Sequence, residues 1–275
     1  METVSDLLRR SLSTLTPAEQ RVVRVLLGDY PRAGLESASR LARRASTSAP
    51  TVVRLMPKLG LGGYPELQER LRAELAERAA SPLDMLGRVT RPTAAGHAGR
   101  TLLAGLEETL ATVPGAVLAD IAESLCHRPD RVLIGGRFST FVAEYLGAHL
   151  TLVLPRVRVV PLAAMGRTAA LLDVSPKTMV VAYDVRRYQR DTIEFCQRAK
   201  EREARIALFT DPWLSPAADW ADLIVPCTVR STSAFDSSTA LLATTEIVIT
   251  RVVERLGDGA KQRLAQFEQQ QPPWG

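Results

Sequence analysis

The 275-residue sequence has few aromatic side chains, few cysteines and histidines, and no long apolar segment. Phe, Tyr and Trp together make up 5% of the chain. No stretch of about 18 apolar residues is free of charge, so a membrane-spanning helix is not expected. An acidic second residue with no apolar core behind it argues against a secretory signal peptide. The apolar fraction of 46% is that of an ordinary globular chain, which excludes disorder of the whole chain.

Metal-binding and redox-active side chains are scarce. The cysteines and histidines are Cys126, Cys196, Cys227, His97, His127 and His149. No pair among them has the spacing of metal ligands, so we expect no metal site and no cofactor. An odd number of widely separated cysteines indicates buried thiols in a reducing cytoplasm rather than disulfides.

Positive charge is concentrated in the first third of the chain. Residues 1–80 contain 13 Lys or Arg and 9 Asp or Glu, whereas residues 81–275 contain 22 and 21. A basic segment in an otherwise balanced chain suggests an anionic partner for that segment, and DNA is the commonest one. The alternative is a solvated helical face, because arginine accounts for 31 of the 35 basic residues throughout the chain.

Residues 1–80 carry helix signals and predict an all-α domain. Thr16-Pro17-Ala18-Glu19 combines an N-cap, a proline at the first helical position and a capping-box glutamate. Tyr30-Pro31 ends the helix that starts there. Three more helices are predicted: one capped by Ser37 or Ser39, one capped by Ser48 and ended by Gly60–Gly63, and one from Tyr64 to about Ala80.

Two short helices joined by a tight polar turn are typical of a helix-turn-helix motif. The second helix of that motif enters the major groove by its N-terminal end, which needs small or hydrogen-bonding side chains flanked by cations for phosphate. The candidate DNA-binding residues are Ser48, Thr51, Arg43, Arg44, Arg54 and Lys58. A helical dimerisation module without DNA contact is the alternative. Pro57 predicts a bend or an early end of the second helix near residues 53–57.

The same segments resemble the N-terminal domain of RpiR/MurR-type transcriptional regulators. The motifs that carry the resemblance are, in order, T-P-A-E, S-x-x-T-V-V-R and L-G-x-x-G-Y-P-E-L. The resemblance implies a dimer that binds double-stranded DNA at palindromic operators. It also implies that Ser48, Thr51 and Arg54 lie at the DNA, with Tyr64 near the DNA backbone. Pro57 departs from the residue usual in this family.

From about Arg100 onward, short apolar runs alternate with helical patterns. The runs cover residues 132–134, 157–162, 179–182, 206–209 and 223–225. Continuous apolar runs separated by helices predict a parallel sheet covered on both faces, and therefore a doubly wound, five-stranded α/β domain over residues 100–258. Residues 81–99 are then a linker with room for one short helix at Pro82–Val89, and residues 259–275 are a tail.

Ligands of such sheets bind beyond the carboxyl ends of the strands, where the strand order reverses. The loop after the first strand offers Gly136, Arg137, Ser139 and Thr140 beside a helix N-terminus that attracts anions. The two hydroxyl residues either cap that helix or bind a ligand oxygen. After the third strand, Arg186 and Arg187 could clamp a carboxylate or phosphate, or could lie in a solvated loop paired with Asp184 or Asp191. A third glycine and a P-loop lysine are both missing, which disfavours dinucleotide or ATP binding.

Residues 100–256 resemble a sugar isomerase (SIS) domain. The resemblance rests on the strand–GG-R-F-S–helix entry, the segment RAKEREARIALFTD, and a D-x-I-V-P strand before a Ser/Thr-rich loop. It implies phosphosugar binding, with Ser139 as the first-loop serine and Ser231 and Ser233 in the last loop. The second loop departs from the family, because bulky and charged residues over 183–189 replace a Ser-x-Ser-Gly-x-Thr run.

Three functions stay open at this point. The first is a cytoplasmic, homodimeric transcription regulator whose SIS-like domain senses a small anionic metabolite such as a phosphosugar. The second is a sugar-phosphate isomerase with a helical accessory domain, and the third is a ligand-free dimeric DNA-binding protein. An isomerase needs an acid and a base at the sugar carbons. The candidates His127, His149, Glu144 and Glu246 have no second group paired with them, so the sequence favours a regulator without catalytic residues.

Overall fold

A computed structural model describes residues 3–88 and 95–270 of the chain. The chain divides into two compact units, Met1–Ala80 and Ser81–Gly275. Among the described residues, no single helix is long and apolar enough to cross a membrane. The helix pair Gly96–Thr112 and Gly115–His127 passes that test only as a pair, and it is bent by 79° at its break.

The first unit is helical. Its helices are α1 (Val4–Ser11), α2 (Pro17–Gly28), α3 (Arg32–Leu35), α4 (Ala38–Arg44), α5 (Ala49–Lys58) and α6 (Tyr64–Ala79), with a 3-10 turn at Leu12–Thr14. The capping box of α2 is formed as predicted, because the Thr16 amide and hydroxyl donate to Glu19 at 2.9 and 2.8 Å. Ser37 caps α4 and Ser48 caps α5. The helix signals did not mark α1 and α3, and α3 is a single turn, too short to show a period.

These helices share one apolar core. From α5 come Val52, Leu55 and Met56, all fully buried at helical spacing, and they join Leu41 of α4 and Leu26 of α2. Burying one such side chain contributes about 1.5–3 kcal/mol. The core therefore fixes which face of α5 points inward, and the opposite face is left to solvent or a partner.

Pro57 does not end α5 early, contrary to the expectation from the sequence. The helix continues through Pro57 to Lys58, and the proline is exposed in its last turn. The proline ring removes one main-chain hydrogen-bond donor but makes no contact that disturbs the core. The last turn of a helix tolerates such a loss better than the centre of a helix does. The end is closed by Gly60, whose φ is +71°, and by a bond of 2.9 Å from the Leu61 amide to the Met56 carbonyl.

The second unit contains a five-stranded, all-parallel sheet, as predicted. The strands are β1 (Asp130–Gly135), β2 (Val157–Val159), β3 (Thr178–Asp184), β4 (Arg205–Thr210) and β5 (Leu223–Pro226), in the order β2-β1-β3-β4-β5. The helices are α7 (Pro82–Arg88), α8 (Ala95–Thr112), α9 (Gly115–His127), α10 (Thr140–Val153), α11 (Ala164–Leu172), α12 (Arg190–Glu201), α13 (Thr239–Leu256) and α14 (Asp258–Gln270). The sequence missed α11, a short helix next to an apolar run.

Both faces of the sheet are covered. Leu133, Val181 and Phe209 pack on one side with residues of α9, α10 and α13, whereas Ile134 and Val180 pack on the other with residues of α11 and α12. This alternation is why the strands appear in the sequence as continuous apolar runs.

The segments predicted as a linker and a tail both contain helices. In the linker, 81–99, α7 lies where a short helix was predicted, whereas the start of α8 was not predicted there, and residues 89–94 lie outside the described part of the chain. The segment predicted as a tail, 259–275, forms most of α14 up to Gln270, and its residues 271–275 are likewise outside that part.

The strand order reverses between β1 and β3. From β1 the chain moves outward to β2, and then returns to place β3 on the other side of β1. The loops that follow β1 and β3 therefore diverge from adjacent strand ends, which is the position where doubly wound sheets bind ligands.

Candidate functional site

A tight turn joins α4 to α5 in the first unit. Ser46 adopts a left-handed conformation with φ +48°, and the Thr47 amide donates to the Ala42 carbonyl at 2.9 Å. Ser48 then caps α5 by accepting from the Thr51 amide. These bonds satisfy main-chain groups at both helix ends and fix the geometry of the pair.

The N-terminal end of α5 is accessible. Ser48 and Pro50 are exposed, Thr51 is half-buried, and the Ser48 and Thr51 hydroxyl oxygens lie 2.9 Å apart. Val53 is 50% exposed on the outer face of the same helix. The outward surface of α5 thus combines hydroxyl groups with one apolar side chain, a composition that suits contact with base edges and thymine methyl groups.

The predicted phosphate-binding cations differ in their surroundings. Arg43 and Arg54 are exposed, and neither forms an ion pair within residues 3–88 or 95–270. Arg44 instead pairs with Asp29 at 2.8 Å and with Glu36 at 3.1 Å.

Lys58 is also paired. Its Nζ lies 2.7 Å from Glu19 Oε1, and this lysine is the largest cause that holds the pKa of Glu19 below its usual value. Lys58 therefore braces the start of α2, and it must leave Glu19 before it can bind a phosphate.

Tyr64 does not fit its expected place beside DNA. Its side chain is 7% exposed, and its hydroxyl donates to the Glu36 carbonyl at 3.0 Å. Burial and the nearby Glu36 carboxylate raise the pKa of Tyr64 to about 12. The ring packs in the apolar core of the first unit, where its hydroxyl joins the start of α6 to the Glu36 carbonyl.

Arg21 of α2 supports the turn between α4 and α5, and sequence reasoning missed it. Its guanidinium donates to the carbonyls of Ala45 at 3.2 Å and Ser46 at 3.3 Å. These contacts connect residues 24 and 25 positions apart in the chain, and no local pattern signals them.

In the second unit, the loop after β1 is bonded directly to the end of β3. The Gly136 amide donates to the Tyr183 carbonyl at 2.9 Å, and the Ser139 hydroxyl donates to the same oxygen at 2.7 Å. Ser139 is buried, and the Thr140 hydroxyl donates to the Gly136 carbonyl at 2.7 Å. Both hydroxyl protons are therefore used within the protein, and neither side chain makes the side-chain cap of α10 that the sequence allowed.

Two buried aspartates organise the loops after β3 and β4. Asp184 accepts from the Gln189 amide at 3.0 Å and from the Ser215 hydroxyl. Burial raises the pKa of Asp184 to about 6. Asp211 accepts from the Arg186 amide at 2.7 Å and from other donors in the same loops. The bulky loop that replaces the small residues of the SIS pattern is thus internally hydrogen-bonded.

Arg186 and Arg187 share a partner that the sequence did not suggest. Arg186 Nη1 lies 3.0 Å from Asp236 Oδ1, and Arg187 Nη2 lies 2.9 Å from Asp236 Oδ2. The sequence-based alternative had named Asp184 or Asp191 instead. Asp191 lies 3.2 Å from the Nε of Arg167, a buried residue of α11 that also donates to the Gly135 carbonyl at 2.9 Å.

The remaining predicted ligand residues lie at the surface. Arg137 is exposed, and its guanidinium lies 4.8 Å from the centroid of the exposed Phe138 ring. Ser231 is half-buried and Ser233 is exposed, and the Ser233 amide donates to the Ser231 hydroxyl at 3.0 Å.

The histidines considered for catalysis bond locally. His127 Nδ1 lies 2.9 Å from the Glu123 carbonyl, and His149 Nδ1 lies 2.9 Å from the Tyr145 carbonyl, in each case one turn earlier in the same helix. Within the described ranges, no three His, Cys, Asp or Glu side chains form a group that could hold a metal ion.

Two family models match the sequence. Residues 3–78 match the helix-turn-helix domain of the rpiR family, and residues 124–251 match the SIS domain. No curated protein matches this sequence.

Several solved structures share the fold. The sugar isomerase domain of an RpiR transcription factor from Sphaerobacter thermophilus is 24% identical, with a TM-score of 0.60 over 63% of this chain and 97% of that chain. The Vibrio vulnificus NanR protein, complexed with ManNAc-6P, is 17% identical, with a TM-score of 0.56 over 95% of both chains. An Escherichia coli CFT073 protein, solved as a complex, is 20% identical, with a TM-score of 0.51 over 63% of this chain and 94% of that chain.

The order of the two matched domains is the order in which the structure presents its helical unit and its parallel sheet. The chain therefore combines a helix-turn-helix domain of the rpiR family with a SIS domain that follows it in the sequence.

Proposed function

We propose that this protein is a cytoplasmic transcription regulator that binds operator DNA through α4 and α5. The observation that carries the proposal is the accessible N-terminal end of α5, where Ser48 and Thr51 stand beside the exposed arginines Arg43 and Arg54. A helix end of this kind suits base contacts in the major groove, while arginines beside it suit phosphate contacts. The excess of positive charge in residues 1–80 adds attraction to any duplex.

The SIS domain is proposed to sense a small oxyanion, with phosphosugars as the first class to test. The NanR protein, which has the same fold over 95% of both chains, is complexed with ManNAc-6P. In this chain the buried Arg186 and its neighbour Arg187 supply the cationic groups for such a ligand. Arginine pairs hold carboxylates and phosphates well because the guanidinium donates two parallel bonds.

Regulation requires that the protein form a homodimer with two arrangements of its subunits, and that the ligand bind one arrangement more tightly than the other. Two copies would place two α5 helices on the half-sites of a palindromic operator. A ligand with unequal affinity for the two arrangements would change operator affinity by the same free energy.

One alternative is favoured by a specific observation. The Ser139 hydroxyl and the Gly136 amide of the loop after β1 both donate to the Tyr183 carbonyl, so these two donors are used within the protein. A SIS domain closed in this way would serve a ligand-free dimeric DNA-binding protein. An isomerase would have to turn over a sugar phosphate, and a turnover assay distinguishes it from both regulators.

DNA binding is tested by fluorescence anisotropy with a labelled duplex from upstream of the gene for this protein. We expect affinity to fall steeply as salt rises, by a slope of about −0.9 for each phosphate contact in a plot of log K against log salt. Arg54→Ala should weaken binding about tenfold. The control is Arg190→Ala, because Arg190 lies in the second unit with its side chain 92% exposed. Absence of binding to any duplex at low ionic strength would overturn the proposal.

A further inference from the structure

We propose that Arg186 and Arg187 form an oxyanion clamp. The seat of this clamp is the position between the two guanidinium groups, which the Asp236 carboxylate occupies. An incoming phosphate or carboxylate would bind there by displacing the Asp236 side chain. This inference rests on the proposed sensing function, and it names the residue that would compete with the ligand. Asp236 belongs to the loop between β5 and α13, outside the segments in which the sequence suggested a partner for the arginines.

The geometry of Asp236 is that of a bound anion. One carboxylate oxygen lies 3.0 Å from Arg186 Nη1, and the other lies 2.9 Å from Arg187 Nη2. A single carboxylate that bridges two guanidinium groups uses the contacts that a ligand phosphate or carboxylate would use. The seat is therefore shaped for an oxyanion and is filled from within the chain.

Both arginines also have contacts that do not involve Asp236. The Arg186 amide is fixed on the buried Asp211 at 2.7 Å, and its guanidinium lies 5.7 Å from the centroid of the Trp213 ring. Arg187 lies 6.0 Å from the centroid of the Phe138 ring. Its backbone φ of +53° is left-handed, in a loop where the SIS pattern has a glycine. A prepositioned pair of cations can exchange one anion for another without rebuilding the loop.

Asp236 is the partner that can move. Its loop is bonded locally, as in the 2.9 Å bond from the Phe235 amide to the Ser233 hydroxyl, and its side chain remains 18% exposed to water. Burial raises the pKa of Asp236 in spite of the two arginines, so the ionised carboxylate is held in the seat at a desolvation cost. A ligand anion with more contacts of its own can therefore compete for the seat.

Displacement of Asp236 offers a route from the ligand to the helices of the domain. The loop leads directly into α13, which packs against α8, α9 and α10. Ligand binding would release the loop from the arginines, whereas the empty state would keep it bound. Such a difference between two states is what coupling to operator affinity requires.

The test compares binding of inorganic phosphate to the wild-type chain and to Asp236→Asn by isothermal titration calorimetry, at constant ionic strength set with sodium chloride. Asparagine keeps the size of the side chain but removes the competing charge. We expect at least about a tenfold lower Kd for the variant. Asp173→Asn, which removes an exposed carboxylate paired with Arg158, is the matched control and should leave Kd unchanged. The double variant Asp236→Asn/Arg186→Gln should lose the gain.

Equal phosphate affinity in wild type and Asp236→Asn, or no binding to either, would overturn the clamp. Acetate in place of phosphate shows whether the seat accepts a carboxylate or only a phosphate-type oxyanion. If Asp236→Asn does not fold, hydrogen exchange of the wild-type chain tests the displacement instead. Saturating phosphate should accelerate the exchange of amides in residues 230–238, because their loop is released. Unchanged exchange would refute the displacement of Asp236. The DNA titration of the wild type is a separate measurement, so failure of the clamp and failure of the proposed function are told apart.

Discussion

The Ser139 hydroxyl donates a hydrogen bond of 2.7 Å to the Tyr183 carbonyl and thereby joins the loop after β1 to the end of β3. The same oxygen of Tyr183 also accepts from the Gly136 amide at 2.9 Å. A serine at this position was predicted to serve a ligand, yet its proton is used to hold two neighbouring strand ends together. The contact is buried, so its loss affects the stability of the fold before it affects any ligand.

Ser139→Ala should therefore destabilise the protein by about 1–3 kcal/mol, because the variant loses a buried hydrogen bond. Urea unfolding followed by Trp fluorescence measures the change, since Trp213 and Trp220 both lie in the second unit. Thr168→Ser, at an exposed position of α11 in the same unit, is the control and should change stability by less than about 0.5 kcal/mol. Wild-type stability in Ser139→Ala would show that the bond to Tyr183 is dispensable.

The left-handed Ser46 predicts a stabilising substitution. Ser46→Gly removes the side-chain penalty at φ +48° and should stabilise the turn between α4 and α5 by about 0.5–1 kcal/mol. Ser39→Gly, at an exposed position in the first turn of α4, has no left-handed backbone to relieve and should destabilise slightly, because glycine is less favourable than serine in a helix. Slower hydrogen exchange of α4 and α5 amides in Ser46→Gly and faster exchange in Ser39→Gly would confirm both. Unchanged or faster exchange in Ser46→Gly would contradict the turn geometry.

Adjacent arginines at the end of α4 should differ in their contribution to DNA binding. Arg43 is exposed, whereas Arg44 is paired with Asp29 and Glu36 and must give up those contacts to reach a phosphate. We expect Arg43→Ala to weaken binding and to reduce the salt slope by about 1, while Arg44→Ala reduces it less. Anisotropy titrations at several salt concentrations measure both slopes. A larger effect from Arg44→Ala would mean that the ion pairs on α4 are broken in the complex.

Most helices and strands could be predicted from local signals in the sequence. The Thr16 cap, the Ser48 cap and the five apolar runs depend on neighbours in the sequence, and each lies where the pattern placed it. Contacts between side chains that are far apart in the sequence could not be predicted from such patterns. Arg187 and Asp236 are 49 positions apart and meet only because the loops after β3 and β5 converge, so the nearer Asp184 and Asp191 were the natural candidates in the sequence. The burial of Tyr64 was beyond local patterns for the same reason, since it depends on how α6 packs.

The buried Asp184 predicts a pH dependence of stability. Burial raises the pKa of Asp184 to about 6 in the folded protein, above its ordinary value of 3.8. The folded state then binds more protons than the unfolded state between these values, so Asp184 makes the protein more stable as the pH falls from 7 toward 4. A difference of about two between the folded and unfolded pKa values corresponds to a change in the free energy of unfolding of up to about 2–3 kcal/mol.

Asp184→Asn removes this titration, so the stability of the wild type relative to the variant should rise as the pH falls through about 6. The comparison within one pair of proteins cancels other groups, such as Glu19, whose pKa is lowered and whose contribution has the opposite sign. Urea unfolding at pH 7.5, 6 and 4.5, taken as approximate sampling points on either side of the folded pKa, measures the difference. Asp173→Asn, an exposed site, should show no comparable trend. A constant difference between wild type and Asp184→Asn across this range would mean that Asp184 is ionised throughout, stabilised by its donors Gln189 and Ser215.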